Sequence, residues 1–292
     1  MAYHILFFTV KLLSYLPFCV LYILSDVLFY VVYYVIRYRR KIVHKNLTES
    51  FPEKSEPEII CLEKKFYKHF VDMFLESVKL TTISREEICK RMRFTNVDVV
   101  NQQLREGKSI SLFLGHYGNW EWVSSLPIWL EKNVHGAQIY HRLQNQTIDK
   151  LMLYIRGRMG AVNVEMRNTA RYVNNQSLAG NINFIGYIAD QSPKKKYAIH
   201  FLDFLNHSTP VLVGTEKITK RYGYEAWFLH VKKIKRGYYE ASFIKMHDDP
   251  KSLQDYELTA IYYELLEKMI KVTPELYLWT HNRFRNATKL TQ

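Results

Sequence analysis

Residues 110–121 read Ile-Ser-Leu-Phe-Leu-Gly-His-Tyr-Gly-Asn-Trp-Glu. The first five form a compact apolar run after Gly107-Lys108, which is the pattern of a buried strand. Gly115 and Gly118 break the run and allow a sharp turn, and helical spacing resumes over Asn119 to Leu130. A buried strand feeding a helix through a tight turn is the repeating unit of α/β layered sheets. Such sheets hold ligands at the carboxyl ends of their strands, where His116 and Glu121 stand.

Outward from this unit the same alternation continues. Strands are predicted at Gln138 to His141, Phe184 to Ala189, Ala226 to Val231 and Tyr238 to Ile244. Helices are predicted at Pro57 to Leu80, Arg85 to Met92, Ile148 to Met159, Leu212 to Lys220 and Leu253 to Ile270. Lys232-Lys-Ile-Lys-Arg236 reads as a hairpin or edge strand. The expected fold class is α/β: a single layered domain with a mixed central sheet flanked by helices, preceded by an N-terminal membrane helix. No repeat or low-complexity linker divides it, so 1–40 is read as a membrane-anchoring helix with a basic flank and 41–292 as one catalytic domain.

The anchor is read from residues 4–36, mostly apolar and interrupted by Lys11, Pro17 and Asp26. Leu16 to Ile36 approaches the ~20 residues that cross a bilayer as helix. It lacks the small-residue cleavage site of a signal peptide, so it is read as retained. Asp26 would be costly at mid-bilayer, which keeps a tilted or interfacial helix open beside a span. The cluster Arg37-Tyr-Arg-Arg-Lys41 follows, and positive flanks stay cytoplasmic and hold anionic headgroups. The downstream domain is therefore expected on the cytoplasmic face.

Composition suits a globular chain that meets a membrane surface, without choosing its function. Hydrophobic content of 48% excludes a disordered chain, and 15% aromatic residues, among them 22 Tyr, suit an interface as well as a core. The formal charge of +13 favours anionic partners, but no RNA- or DNA-binding motif accompanies it, and nucleic acid is not expected as a partner. Cys19, Cys61 and Cys89 form no CxxC pair. Neither a disulfide framework nor zinc-ligand spacing is present, so no metal is expected.

A histidine followed five residues later by a carboxylate can act as a base with an orienting partner. Glu121 would accept from one imidazole nitrogen, and the other nitrogen would remove a proton. This is the logic of a hydrolase triad without its nucleophilic Ser, so the substrate's own hydroxyl takes that place and receives an acyl group directly. Asn119 and the backbone N–H groups at the start of the next helix are the local donors for an oxyanion.

The chain resembles the late acyltransferases of lipid A biosynthesis, the lauroyl/myristoyl transferases within the wider HxxxxD/E glycerolipid acyltransferases. The resemblance is carried by four features in the family's order. First come Leu16-Pro17, Leu24-Ser25-Asp26, Tyr38-Arg-Arg-Lys41, Asn46-Leu47 and Ser50-Phe-Pro52. Then come His116-Tyr-Gly-Asn-Trp-Glu121 and Ala189-Asp-Gln191. The last is Pro274-Glu275 with Tyr277, Trp279, His281 and Arg283-Phe284.

Carried over by position, the resemblance implies His116 as general base, Glu121 as its partner and Asp190 as a support beside it. It implies phosphate binding by His141 or Arg142, which follow Tyr140, and by Arg283; the basic run Lys194-Lys-Lys196, read from the residues themselves, could join them beside Asp190. Asn282 stands where a second basic residue is common. The resemblance further implies an acyl-carrier-protein thioester as donor and a lipid A precursor as acceptor, acylated on a hydroxyl of an existing acyl chain. It also implies the bacterial inner membrane as location, and no metal or other cofactor is required. The competing expectation is an acyltransferase for another membrane lipid, a glycerolipid or amino-acid lipid. The glycerolipid branch usually has Asp in place of Glu121 and Phe-Pro-Glu-Gly downstream of the His, whereas Phe51-Pro-Glu53 lies upstream without the Gly.

Overall fold

A computed structural model describes residues 2–290. The main sheet has seven strands: β1 (Met92–Phe94), β2 (Ile110–Leu114), β3 (His135–Tyr140), β4 (Val162–Glu165), β5 (Asn183–Ile188), β8 (Glu225–Lys235) and β9 (Tyr238–His247). Their order is β1-β9-β8-β2-β5-β3-β4, parallel throughout except for the antiparallel β8–β9 pair. A small antiparallel sheet joins β6 (Phe201–Phe204), β7 (His207–Pro210) and β10 (Thr288–Lys289). The helices are α1 (Ala2–Ser14), α2 (Phe18–Tyr30), α3 (Arg40–Ser50), α4 (Glu56–Lys79), α5 (Arg85–Arg91), α6 (Val97–Arg105), α7 (Gln146–Gly157), α8 (Thr169–Leu178), α9 (Gly214–Tyr222) and α10 (Glu257–Val272). This is the mixed α/β sheet expected, flanked by helices.

The run 110–114 is buried at every position, as befits a central parallel strand covered on both faces. The basic run 232–236 closes the β8–β9 hairpin, whose turn uses Gly237 at φ +73°. One predicted helix changes character. Residues Trp122–Ile128 form a 3-10 helix rather than an α-helix over Asn119 to Leu130, and Pro127, which has no N–H to donate, lies inside it. Short elements without clear periodicity, such as β1, β4 and the β6–β7 hairpin, were not legible in the sequence.

The two glycines of the turn at 115–118 act differently. Gly118 adopts φ +62°, and a Cβ there would lie 2.9 Å from Val231 Cγ1. At Gly115 the constraint is packing: a Cβ would meet Leu266 Cδ1 of α10 at 2.7 Å. The segment after α10 runs beside this turn. Leu278 N–H donates to the carbonyl of His116 (3.0 Å) and Gly118 N–H to that of Leu276 (2.9 Å). Asn46 of α3 donates to the carbonyls of Trp279 and His281, both at 2.9 Å. The C-terminal aromatic motif is thus the frame of the turn.

Beneath the turn lies Glu76, buried on α4. Its carboxylate accepts from Asn119 Nδ2 (2.7 Å), Tyr239 Oη (2.8 Å) and Tyr22 Oη (3.0 Å). The Trp122 indole donates to its backbone carbonyl at 2.9 Å. Glu76→Leu removes the acceptor shared by three donors, two of them wholly buried. It is expected to cost about 2–5 kcal/mol of stability, read from urea unfolding, while Glu76→Gln retains part of the network and costs less.

Candidate functional site

His116 follows β2 and Asp190 follows β5. These strands are parallel neighbours in register, Leu114 opposite Ile188, so the two residues just beyond their ends emerge side by side. His116 Nδ1 lies 2.7 Å from Asp190 Oδ1, and the His116 backbone N–H donates to Oδ2 at 3.2 Å. Asp190 is 2% exposed. Burial alone would raise its carboxyl, but the His116 charge and both hydrogen bonds hold it below the usual carboxylate range. A carboxylate on Nδ1 fixes the tautomer with Nε2 unprotonated and available as a base.

The expected hydrogen bond from His116 to Glu121 is therefore replaced. Glu121 lies one turn further on, where the 3-10 helix begins, and it faces α7. There Arg156 Nε reaches Oε2 at 2.7 Å and Nη2 reaches Oε1, a bidentate pair. Burial would push the Glu121 carboxyl up, and Arg156 overrides this and holds it below its ordinary value. The five-residue spacing brings His116 and Glu121 to one cavity, but only the sheet register decides which carboxylate takes the imidazole.

Two further expectations are corrected by geometry, and one left open is narrowed. Asn119 is fully buried, with its amide nitrogen on Glu76 and its Oδ1 accepting from Trp122 N–H (3.1 Å). Its side chain is spent on the turn and cannot also meet an oxyanion. Arg283 is 1% exposed and donates to Pro210 O (3.1 Å) and Tyr263 Oη (3.0 Å), so it cannot reach a headgroup phosphate. Arg285, two residues on, lines the cavity instead. Of His141 and Arg142, His141 lines the cavity, as does Lys194, whereas Arg142 offers its carbonyl to His141 Nδ1 at 2.9 Å.

That cavity has a volume of about 610 Å³. Its polar end carries His116, Gln191, His281, His141, Lys194 and Arg285. Its apolar depth follows one face of the sheet, where Leu112, Phe184, Gly186 and Gly136 alternate inward. Gly186 and Gly136 present no side chain between Leu112 and Phe184, so the floor dips into a trough. A glycine inside a strand marks such a close approach. A Cβ on Gly186 would meet only ordinary contacts, Leu114 Cδ2 at 3.8 Å and the Ala137 carbonyl at 3.9 Å. Among the described residues no cluster could hold a metal ion.

Arg156, His281 and Gln191 complete the site. The Gln191 carboxamide lies 3.3 Å from His116 Nε2, and Trp120 stands edge-on to the imidazole, with centroids 5.3 Å apart. His281 Nε2 accepts the Ser192 N–H at 3.3 Å, and burial pushes its imidazole down to about 4. Nothing local in the sequence marks Arg156; its role exists only because α7 crosses the turn. His281 was legible as part of the C-terminal motif, but its place in the cavity was not.

His69, buried on α4, takes part from below. Its Nε2 lies 3.1 Å from the Gly118 carbonyl and its Nδ1 3.4 Å from Lys233 Nζ. Burial and then the Lys233 charge hold it neutral, down to about 3. Both imidazoles have folded values below their ordinary 6.5, so the stability that depends on their neutral forms is present above pH 6.5. It is lost as pH falls toward 4 for His281 and toward 3 for His69. The denaturation midpoint should fall across that window, and a His281→Asn variant should show a shallower fall.

A sequence model of the family described as bacterial lipid A biosynthesis acyltransferase matches residues 2–286, nearly the whole chain. No individually curated protein matches it.

Proposed function

Since the chain belongs to the bacterial lipid A biosynthesis acyltransferase family, we propose that it transfers a fatty acyl group from an acyl-carrier-protein thioester to a hydroxyl of a lipid A precursor, with His116 as general base. The observation that carries the mechanism is His116 itself. Its Nδ1 is held by Asp190, its Nε2 faces the Gln191 carboxamide at the mouth of an apolar trough, and among the described residues no Ser, Thr or Cys is hydrogen-bonded to it. An enzyme with a base and no nucleophile of its own suits direct transfer onto a bound alcohol.

In this reading the acceptor hydroxyl displaces the Gln191 amide from Nε2 and gives up its proton there. Its oxygen attacks the thioester carbonyl, and the tetrahedral intermediate collapses with loss of the thiolate. The imidazolium returns the proton to that sulfur, so an ester and a free thiol leave. Asp190 keeps the imidazole oriented and stabilises its charged form. Gln191 Nε2, freed by the hydroxyl, is the nearest side-chain donor for the developing oxyanion. Glu121 keeps Arg156 at the cavity wall. No metal or redox cofactor takes part.

The acyl chain would run down the trough from His116 past Gly186 toward Gly136. From Leu114 to the level of Phe184 is four residues along parallel strands, or about 13 Å at ~3.3 Å per residue. Lys194 and Arg285 at the mouth supply positive charge for a phosphorylated headgroup, with the His141 ring beside them, and the +13 chain suits an acidic carrier protein. The location follows: the inner membrane, with the catalytic domain on its cytoplasmic face, where the basic flank 37–41 would lie.

Purified protein given acyl-carrier thioesters and a lipid A precursor should yield an ester one acyl group heavier by mass spectrometry. Glycerolipid and amino-acid lipid acceptors in parallel should not react. His116→Ala should lower turnover by about 10²–10⁴-fold or more, and a fully active His116→Ala would overturn the mechanism. Asp190→Asn should fall nearly as far. Glu121→Gln, whose partner is Arg156, should leave the acid limb of the rate profile in place.

Chain-length preference offers a separate reading of the trough. Gly186→Leu should shift selection toward shorter acyl thioesters, losing about 0.8 kcal/mol of preference per excluded methylene. The measurement is competition among thioesters of graded length, and an unchanged product distribution would place the acyl chain elsewhere.

A further inference from the structure

α2 continues through a π-helical turn at Val31–Val35, and the combined helix Phe18–Ile36 is long and apolar enough to cross a membrane. A helix of 19 residues rises about 28 Å, so a crossing places its ends on opposite sides of a hydrocarbon layer about 30 Å thick. In this structure both ends and the middle are bonded to one polar domain. At the start, Lys79 Nζ donates to the carbonyls of Ser14 (2.9 Å) and Leu16 (2.8 Å), and Thr82 Oγ1 to that of Ser14 (2.8 Å).

Midway, Ser25 donates to Asp72 (2.7 Å), and Arg236 at the tip of the β8–β9 hairpin bridges Asp72 and Asp26, with Nη2 2.8 Å from Asp26 Oδ1. Beyond the end, Tyr67 donates to the Tyr38 carbonyl, Arg40 pairs with Glu63 (2.7 Å), and Arg39 donates to Thr280 O (3.0 Å).

A crossing would carry Asp72, Arg236 and Lys79 into hydrocarbon beside the helix, at several kcal/mol for each charge. The first helix also returns to the domain. Phe7 packs edge-on against Tyr154 of α7 at 4.9 Å, and Lys150 of α7 lies 4.4 Å from the Tyr3 ring centroid. Asp26, expensive for a spanning helix, is here an ion-pair partner at the protein surface. The opposite face of both helices is unpartnered and apolar: Ile5, Phe8, Leu12, Ile23, Val27 and Val35 are each more than half exposed. Tyr15, Tyr30 and Tyr34 lie exposed among them, amphipathic rings of the kind that settle at headgroup level. Exposed Arg37, Lys41 and Lys45 adjoin the far end, a charge that anionic headgroups complement.

We propose that α1 and α2 do not cross the bilayer but lie in the plane of its surface, fixed to the catalytic domain, with their outer apolar face embedded among the lipids. The occupant of that face is an anionic phospholipid bilayer, and the start of the chain and His116 share one side of it. This rests on membrane attachment alone and stands or falls independently of the acyl transfer proposed above.

The test uses the full chain in sealed proteoliposomes of phosphatidylethanolamine and phosphatidylglycerol. An epitope is fused at the amino end, and Cys19→Ser with Cys89→Ser leaves exposed Cys61 of α4 as the reference thiol. The epitope is expected to bind antibody in the same vesicle fraction in which Cys61 reacts with an impermeant maleimide, and both should be protected in the rest. Reciprocal accessibility would show a crossing and overturn the proposal.

Fluorophores at Ile5, Ile23 and Val35 in separate single-cysteine variants should be quenched by shallow nitroxide lipids to within about twofold of one another. Positions 23 and 35 would differ in depth by about 18 Å in an upright helix, and a graded response would likewise overturn it. A dimer in solution that covers these residues, with no co-sedimentation on the vesicles, would assign the face to a second copy instead.

Discussion

The carboxylate of Glu76 ties together parts of the chain that have no reason to meet in sequence. It lies fully buried beneath the turn that carries His116, and burial raises it above the usual carboxylate range. Such a group is tolerated because three donors converge on it: Asn119 from the turn, Tyr239 from the sheet and Tyr22 from the N-terminal helix. A buried acceptor shared in this way is costly to leave half satisfied, so its donors hold their places together. The position of the turn that carries His116 is thereby set by the helix below it. The N-terminal helix is docked through the same carboxylate.

The site above depends on strand register in the same physical sense. Parallel pairing of β2 with β5 puts residues 74 apart next to each other at the sheet's carboxyl edge. A carboxylate five residues from a histidine is the nearer partner along the chain, yet it is the wrong one in space. Glu121 has turned through the 3-10 start toward α7, where a bidentate arginine satisfies both of its oxygens. The two buried carboxylates thus divide the work: one orients the imidazole and the other anchors the wall of the cavity.

Motif residues proved informative about place more often than about role. Asn119, Arg283 and the aromatic run around Trp279 lie within or against the turn, as their grouping implied, but they hold it rather than act in it. Besides Arg156, two cations that face the cavity, Lys194 and Arg285, stand in stretches where charge alone would be read as a solvated loop.

The sequence by itself determined the α/β class, the strand at 110–114, the glycine turn after it, the apolar composition of the first 36 residues and the place of His116 at the strand's carboxyl end. These follow from local periodicity, backbone conformational limits and composition, which need no knowledge of what packs against what. Only the tertiary structure decided that Asp190 rather than Glu121 meets the imidazole, that Arg156 and His281 belong to the cavity, and that Asp26 is paired on the domain surface. Each of these is a contact across 35 or more residues, made by sheet register or helix docking, and no local pattern encodes it.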